Sequence, residues 1–309
     1  MSSSQLLRVV LWMTGTLLSF SAMAVSIRAL AGAFSIFEIL TIRSGLGLAI
    51  VVAVALIKPE LWRGFALRKL HLHFLRNSTH FVAQYLWAVS LTLLPLATVF
   101  ALEFTMPAWT TVLAVIFLGE RLTGSRIGAV VLGFIGVLII LRPGLDAFQP
   151  AALLVLAAAF GYSLSNIATK KLTSTETTFA IVLWMNIMQL PFGYVGSDPL
   201  FFMRIDWGYL PGVLGIGISG LTAHFCLTKA LSAGDATVVI PLDFMRLPLI
   251  ALVGWTFYGE GLDVLVFIGG AVIIAGVLWN LKTETRRGRM PAPKPLVATP
   301  LPKGGAHDL

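Results

Sequence analysis

Ala97-Thr98-Val99-Phe100-Ala101-Leu102-Glu103-Phe104 returns in the second half of the chain as Ala236-Thr237-Val238-Val239-Ile240-Pro241-Leu242-Asp243-Phe244, one residue longer. Each copy runs on through a proline, Pro107 or Pro248, to a Gly-Glu pair, Gly119-Glu120 or Gly259-Glu260. Each then enters a glycine-punctuated apolar run, Gly128 to Leu138 and Gly269 to Leu278. Glu103 and Asp243 therefore hold equivalent places, as do Glu120 and Glu260. A period of about half the chain is too long for a solenoid.

Composition sets the environment of these repeats. Of 309 residues, 57% are hydrophobic and only 12% charged, and the mean hydropathy is +0.90. A soluble domain carries about 25% charged residues. Apolar runs of roughly 20 residues are long enough to cross a bilayer. The one cysteine, Cys226, lies in such a run, so neither a disulfide framework nor a cysteine metal site is expected. The net charge of +8 comes from lysines and arginines in loops and tail, where it reads as a topology signal and not as nucleic-acid binding.

The pattern predicts an all-α, polytopic membrane protein of ten transmembrane helices, over about 9–30, 35–57, 75–94, 96–118, 125–142, 150–170, 177–195, 209–231, 236–258 and 262–281. With the N-terminus inside, Arg8, Lys58, Arg63, Arg68, Lys69, Arg76, Arg121, Arg126, Lys170, Lys171, Lys229 and the basic tail fall on the inner side. Only Arg28, Arg142 and Arg204 fall outside, which predicts both termini cytoplasmic. Five spans per half is odd, so the two repeats are inverted, a pattern of secondary transporters. The expected units are 1–146, 147–285 and a disordered Pro- and Lys/Arg-rich tail, 286–309. The first span imitates a secretory signal, with Arg8 and Ala22-Met23-Ala24, but Ser21 to Leu30 repeats as Ser163 to Leu172, which argues against cleavage.

These residues resemble the drug/metabolite transporter superfamily, in its ten-helix EamA type. The resemblance is carried by Thr41-Ile42-Arg43-Ser44-Gly45, Ala97-Thr98-Val99 with its proline helix, Leu118-Gly119-Glu120-Arg121-Leu122, Leu141-Arg142-Pro143 and the second copies. It implies carriage of a small metabolite through a central cavity across the inner membrane, with no cofactor or metal and no enzymatic activity. Amino-acid-like efflux is the main expectation. Import of a metabolite such as S-adenosylmethionine or riboflavin is the alternative. Protons are a candidate coupling ion, the lipid bilayer a partner, and a homodimer a candidate assembly.

Ionisable groups are costly at hydrocarbon depth and by default face the bundle interior. Glu103, Asp243, Arg246, Arg43 and His224 are such groups. Asp243 and Arg246 share a helix face at i and i+3, so Asp243 is either neutralised by Arg246 or open to substrate. Gln84 and His224 are repeat-equivalent, and His224 is either a proton-linked switch or a neutral helix-to-helix bond. Arg43 offers a planar donor fork for a carboxylate or, alternatively, a partner for Glu38 or a helix end. His80 is expected near the inner interface. Tyr85, Phe104, Tyr162 and Phe244 are the aromatic candidates for the cavity wall, and Pro107 and Pro248 for helix bending. Met106 stands where the other repeat has Arg246, an asymmetry suited to substrate choice.

Other classes fit less well. Gly215 to Gly220 imitates a dinucleotide fingerprint without a strand before it. Gly217-Ile218-Ser219-Gly220 imitates an intramembrane protease nucleophile, with no histidine on a later span. A non-transporting scaffold would have no use for paired carboxylates at matching depth.

Overall fold

A computed structural model describes residues 3–65, 69–118, 123–142, 149–172, 175–233 and 242–288. Gly119, Glu120, Arg121, Pro143, Ala236 to Pro241 and the tail beyond 288 lie outside the described residues, as does the side chain of His224.

The described chain is helical throughout. The helices are α1 (Ser3–Leu30), α2 (Ile36–Ile57), α3 (Leu70–Leu93), α4 (Leu96–Glu103), α5 (Met106–Leu118), α6 (Gly124–Leu141), α7 (Ala152–Leu172), α8 (Thr178–Val195), α9 (Leu210–Ala233), α10 (Arg246–Tyr258) and α11 (Val264–Gly288). They follow the ten expected spans, with α4 and α5 as two halves of the fourth. Among the described residues, eight stretches are long and apolar enough to cross a membrane. α3 falls short because it carries Arg76, Asn77, His80 and Gln84, and α10 because only 13 residues of it are helical. α11 runs to Gly288, past the boundary expected at 285.

The polarity of the bundle is turned inside out. Leu11, Leu18, Phe74, Val82, Phe134 and Trp255 are exposed, whereas Arg43, Gln84, Asn77, Gln189 and Arg246 are buried. Apolar side chains cover the outside because the surrounding solvent is hydrocarbon, and polar groups turn inward where partners exist.

Local signals explain the helix ends. Ser35 and Glu38 form a reciprocal capping box at the start of α2. Thr123 and Thr177 cap α6 and α8. Gly259, at φ 64°, closes α10 in the left-handed region, where a side chain would be strained.

The expected proline bends are two-residue turns in which the backbone stays right-handed, at ψ −2° for Phe104 and −11° for Met245. α4 stops at Glu103 and α5 begins at Met106; before α10, the chain turns at Phe244–Met245. Each turn precedes its proline by a few residues. Pro107 and Pro248 have no N–H to offer the turn before them, so they sit at the start of the following helix, where that donor would be unpaired anyway.

The two halves interlock. The most extensive contacts are α1 with α9, α6 with α11, α3 with α7, and α2 with α8, each pairing one half with the other. The first two reach into one shared core, which includes Ile27, Phe100, Leu102, Ile216, Leu247 and Ile273. At the α6–α11 seam the twofold relation is visible in single atoms. A Cβ on Gly136 would lie 2.5 Å from the carbonyl oxygen of Gly269, and one on Gly269 would lie 2.6 Å from that of Gly136. Neither backbone can give way without parting the helices.

Gly136→Ala is therefore expected to destabilise the protein by about 1–3 kcal/mol, as overpacking does, read as a lower melting temperature in detergent. Gly32→Ala, where nothing lies within 4 Å of the new methyl, should leave it unchanged.

Candidate functional site

The turns in the fourth and ninth spans leave Glu103 at the end of the short α4, Asp243 just before the turn at Phe244–Met245, and Arg246 at the start of α10. Arg246 stands between the two carboxylates, 3.1 Å from Asp243 and 3.6 Å from Glu103. The indole N–H of Trp87 donates to Glu103 at 2.9 Å. The guanidinium is covered by aromatic faces: Phe20 at 4.5 Å, Phe104 at 5.3 Å and Phe100 at 5.4 Å. Phe104 and Phe244, repeat-equivalent, meet edge to face at 4.9 Å. Such cation–π contacts strengthen as the cation loses water.

All three charges are largely withdrawn from solvent, with side-chain exposures of 6% for Arg246, 12% for Glu103 and 22% for Asp243. The two alternatives for Asp243 thus merge: it is paired with Arg246, but Arg246 is shared. One cation faces two carboxylates. Asp243 Oδ1 and Arg246 Nε are buried without a hydrogen-bond partner. Met106, opposite Arg246 in the repeat, instead accepts from Asn166 through its sulfur and from Ser163 through its carbonyl.

A second polar group joins α2, α3 and α8. Arg43 donates to Gln84 at 3.3 Å. One turn earlier on α3, His80 is bonded to Gln189 at 2.9 Å and meets the ring of Tyr162 edge-on at 5.3 Å. His80 is buried: its i, i+4 relation to Gln84 turns both into the bundle. Glu38, one of the partners put forward for Arg43, pairs with Arg204 instead. Tyr85 meets the ring of Phe37 at 4.6 Å, tilted by 38°. Gln189 was not singled out by sequence; its signal is an amide one turn from Asn186 inside an apolar span.

Ser219, in the protease-like segment, is buried with its hydroxyl unpaired. The adjoining Gly220 serves packing, because a Cβ there would lie 2.9 Å from Arg43 Nε.

The end of the bundle where α1 stops and α11 starts is held by ion pairs. Arg28 pairs with Glu260 and donates to the carbonyls of Leu91 and Leu94. The other oxygen of Glu260 accepts from the Leu96 amide at 2.9 Å. Arg142 pairs with Asp263 beside a cavity of about 180 Å³ lined by Pro95, Thr98 and Gln149. Partial burial opposes ionisation of Asp263, but the hydrogen bond from Arg142 and the amides of Leu265 and Val266 hold it below the usual carboxylate range.

Interlocked halves, broken helices and facing carboxylates at the repeat interface are the build of a multi-pass membrane transporter. The chain belongs to the EamA-like transporter family, whose model matches residues 7–142 and 149–282. That makes it a transporter and not an enzyme. It is similar to a riboflavin transporter of Rhizobium johnstonii, 34% identical over 67% of this chain and 68% of that one. An S-adenosylmethionine uptake transporter of Rickettsia felis is 28% identical over 69% of this chain and 72% of its own length. A pseudopaline exporter of Pseudomonas aeruginosa is 25% identical over 62% and 68%. A crystal structure at 17% identity shares the fold, with a TM-score of 0.57 over 91% of this chain and 99% of that chain.

Arg246→Met keeps an apolar stem and strands both carboxylates. It should destabilise the folded protein by roughly 3–5 kcal/mol, the cost of breaking a buried pair. Adding Glu103→Gln and Asp243→Asn should restore most of that loss. Denaturant unfolding in detergent reads both; wild-type stability in the single variant would show that the pairs contribute nothing.

Proposed function

We propose that this protein is a secondary carrier that imports a small heteroaromatic metabolite, of the riboflavin or S-adenosylmethionine kind, across the cytoplasmic membrane. The observation that carries the reading is the Glu103–Arg246–Asp243 group under its aromatic cover. Rings of Phe20, Phe100 and Phe104 suit a planar heterocycle. The second carboxylate leaves one negative charge unmet in a low-dielectric interior, where an uncompensated charge is costly. A cationic centre on the substrate, such as a sulfonium or ammonium, meets it directly. For a neutral substrate, a proton does so, which makes proton coupling part of the same reading.

The relatives support import over the amino-acid-like efflux expected from resemblance. The one named an uptake transporter and the riboflavin transporter share more of their sequence with this chain than the exporter does. The loop charges support cytoplasmic termini. The units 1–146 and 147–285 act as the two repeats. Alternating access then requires the Arg28–Glu260 latch to open and close, since it ties α1 and the α3–α4 turn to the segment between α10 and α11.

A thermal-shift series tests the substrate class, because a ligand stabilises the state it binds by RT ln(1 + [L]/Kd). Riboflavin or S-adenosylmethionine should raise the melting temperature. Stabilisation by simple amino acids alone would return the reading to amino-acid efflux. In proteoliposomes, Glu103→Gln should flatten the pH dependence of uptake while the protein stays folded. Here Glu103 faces Trp87 of α3, Asp243 and Arg246 across the break, and Tyr162 of α7. A wild-type pH profile in that variant removes Glu103 from coupling.

A further inference from the structure

Two guanidiniums are buried near the centre of the bundle, and they are treated differently. Arg246 has two carboxylates. Arg43, only 5% exposed, makes a single 3.3 Å bond to the neutral Gln84, and its Nε has no partner. Among the described residues no carboxylate lies within ion-pair range of it. Arg76 of α3, of the same sign, is within electrostatic reach of it. Gly220 of α9 leaves the space the guanidinium fills. Beside it on α3, His80 holds Gln189, whose Oε1 is also buried and unpaired. Tyr162 lies within electrostatic reach of both Arg43 and Glu103.

A cation kept in such a place without a counter-charge is expensive unless the counter-charge arrives from outside. Its planar fork matches two adjacent acceptor atoms. We infer that Arg43, positioned by Gln84 and Gly220, anchors the acceptor end of the substrate, while the Glu103–Arg246–Asp243 group receives the other end. The acceptor pair is either a carboxylate or the adjacent nitrogen and carbonyl oxygen on the edge of a flavin ring. The site so formed is bipolar, and it selects molecules with an electron-rich acceptor edge at one end. This rests on the carrier reading above and deepens it.

The test uses Arg43→Gln in the full-length protein in detergent, with three probes: S-adenosylmethionine, its decarboxylated analogue and riboflavin. If the anchored group is a carboxylate, the variant should bind S-adenosylmethionine at least tenfold more weakly, with less than twofold change for the decarboxylated analogue. If it is the flavin edge, riboflavin binding should fall tenfold or more. Equal loss for S-adenosylmethionine and its decarboxylated analogue, with riboflavin unaffected, or no loss for any probe, overturns the inference. Ligand-free melting gives a second arm. Removing a charge that has no internal counter-ion should leave the melting temperature unchanged or raise it, whereas a drop of several degrees marks a structural arginine and overturns the anchor. Should the wild-type protein bind none of the probes, the substrate reading fails, and the ligand-free melting temperature decides on Arg43 alone.

Discussion

Hydrocarbon does not tolerate a free charge, and the arrangement around Arg246 answers that constraint. The charges sit at the turns of the fourth and ninth spans, where their side chains meet one another instead of facing lipid. Aromatic rings close over the guanidinium and keep it there. The apolar outer faces, the inward polar stripe of α3 and the interlocking of the halves follow from the need to wrap these charges on every side.

The framework is close to symmetric and the chemistry is not. α1 against α9 repeats α3 against α7, and Gly136 mirrors Gly269 across the α6–α11 seam. Yet Met106 occupies the place of Arg246, and its sulfur meets an amide instead of a carboxylate. Two equal half-sites would bind a symmetric ligand twice. The unequal pair, with Arg43 set apart, fits one molecule in one orientation.

Much of this was legible in the sequence because the duplication supplies what a single sequence lacks: knowledge of which distant residues share a depth. It singled out Glu103 with Asp243, and the prolines marked the breaks. The i, i+3 spacing disclosed the Asp243–Arg246 pair. The Glu103–Arg246 contact could not be read, since it depends on the packing of α4 against the start of α10, which no spacing encodes. Sequence put Glu38 forward as one partner for Arg43, and the fold of the segment before α9 gives it Arg204 instead. The bond between His80 and Gln189 could not be read either, since it depends on the packing of α3 against α8.

Interlocking also bears on how the protein is made. The buried face of α1, with Val9, Met13 and Ile27, packs largely on α9, which begins at Leu210. At synthesis rates of about 5–20 residues per second, α1 waits roughly ten to forty seconds in the bilayer before that partner exists. In that interval its serines and threonines, Thr16, Ser21 and Ser26, have no permanent neighbours. Thr16 bonds its own backbone, at Trp12, so that hydroxyl is satisfied before any partner helix arrives. A first half released early would carry an unfinished surface, so assembly of this carrier is an event of the whole chain.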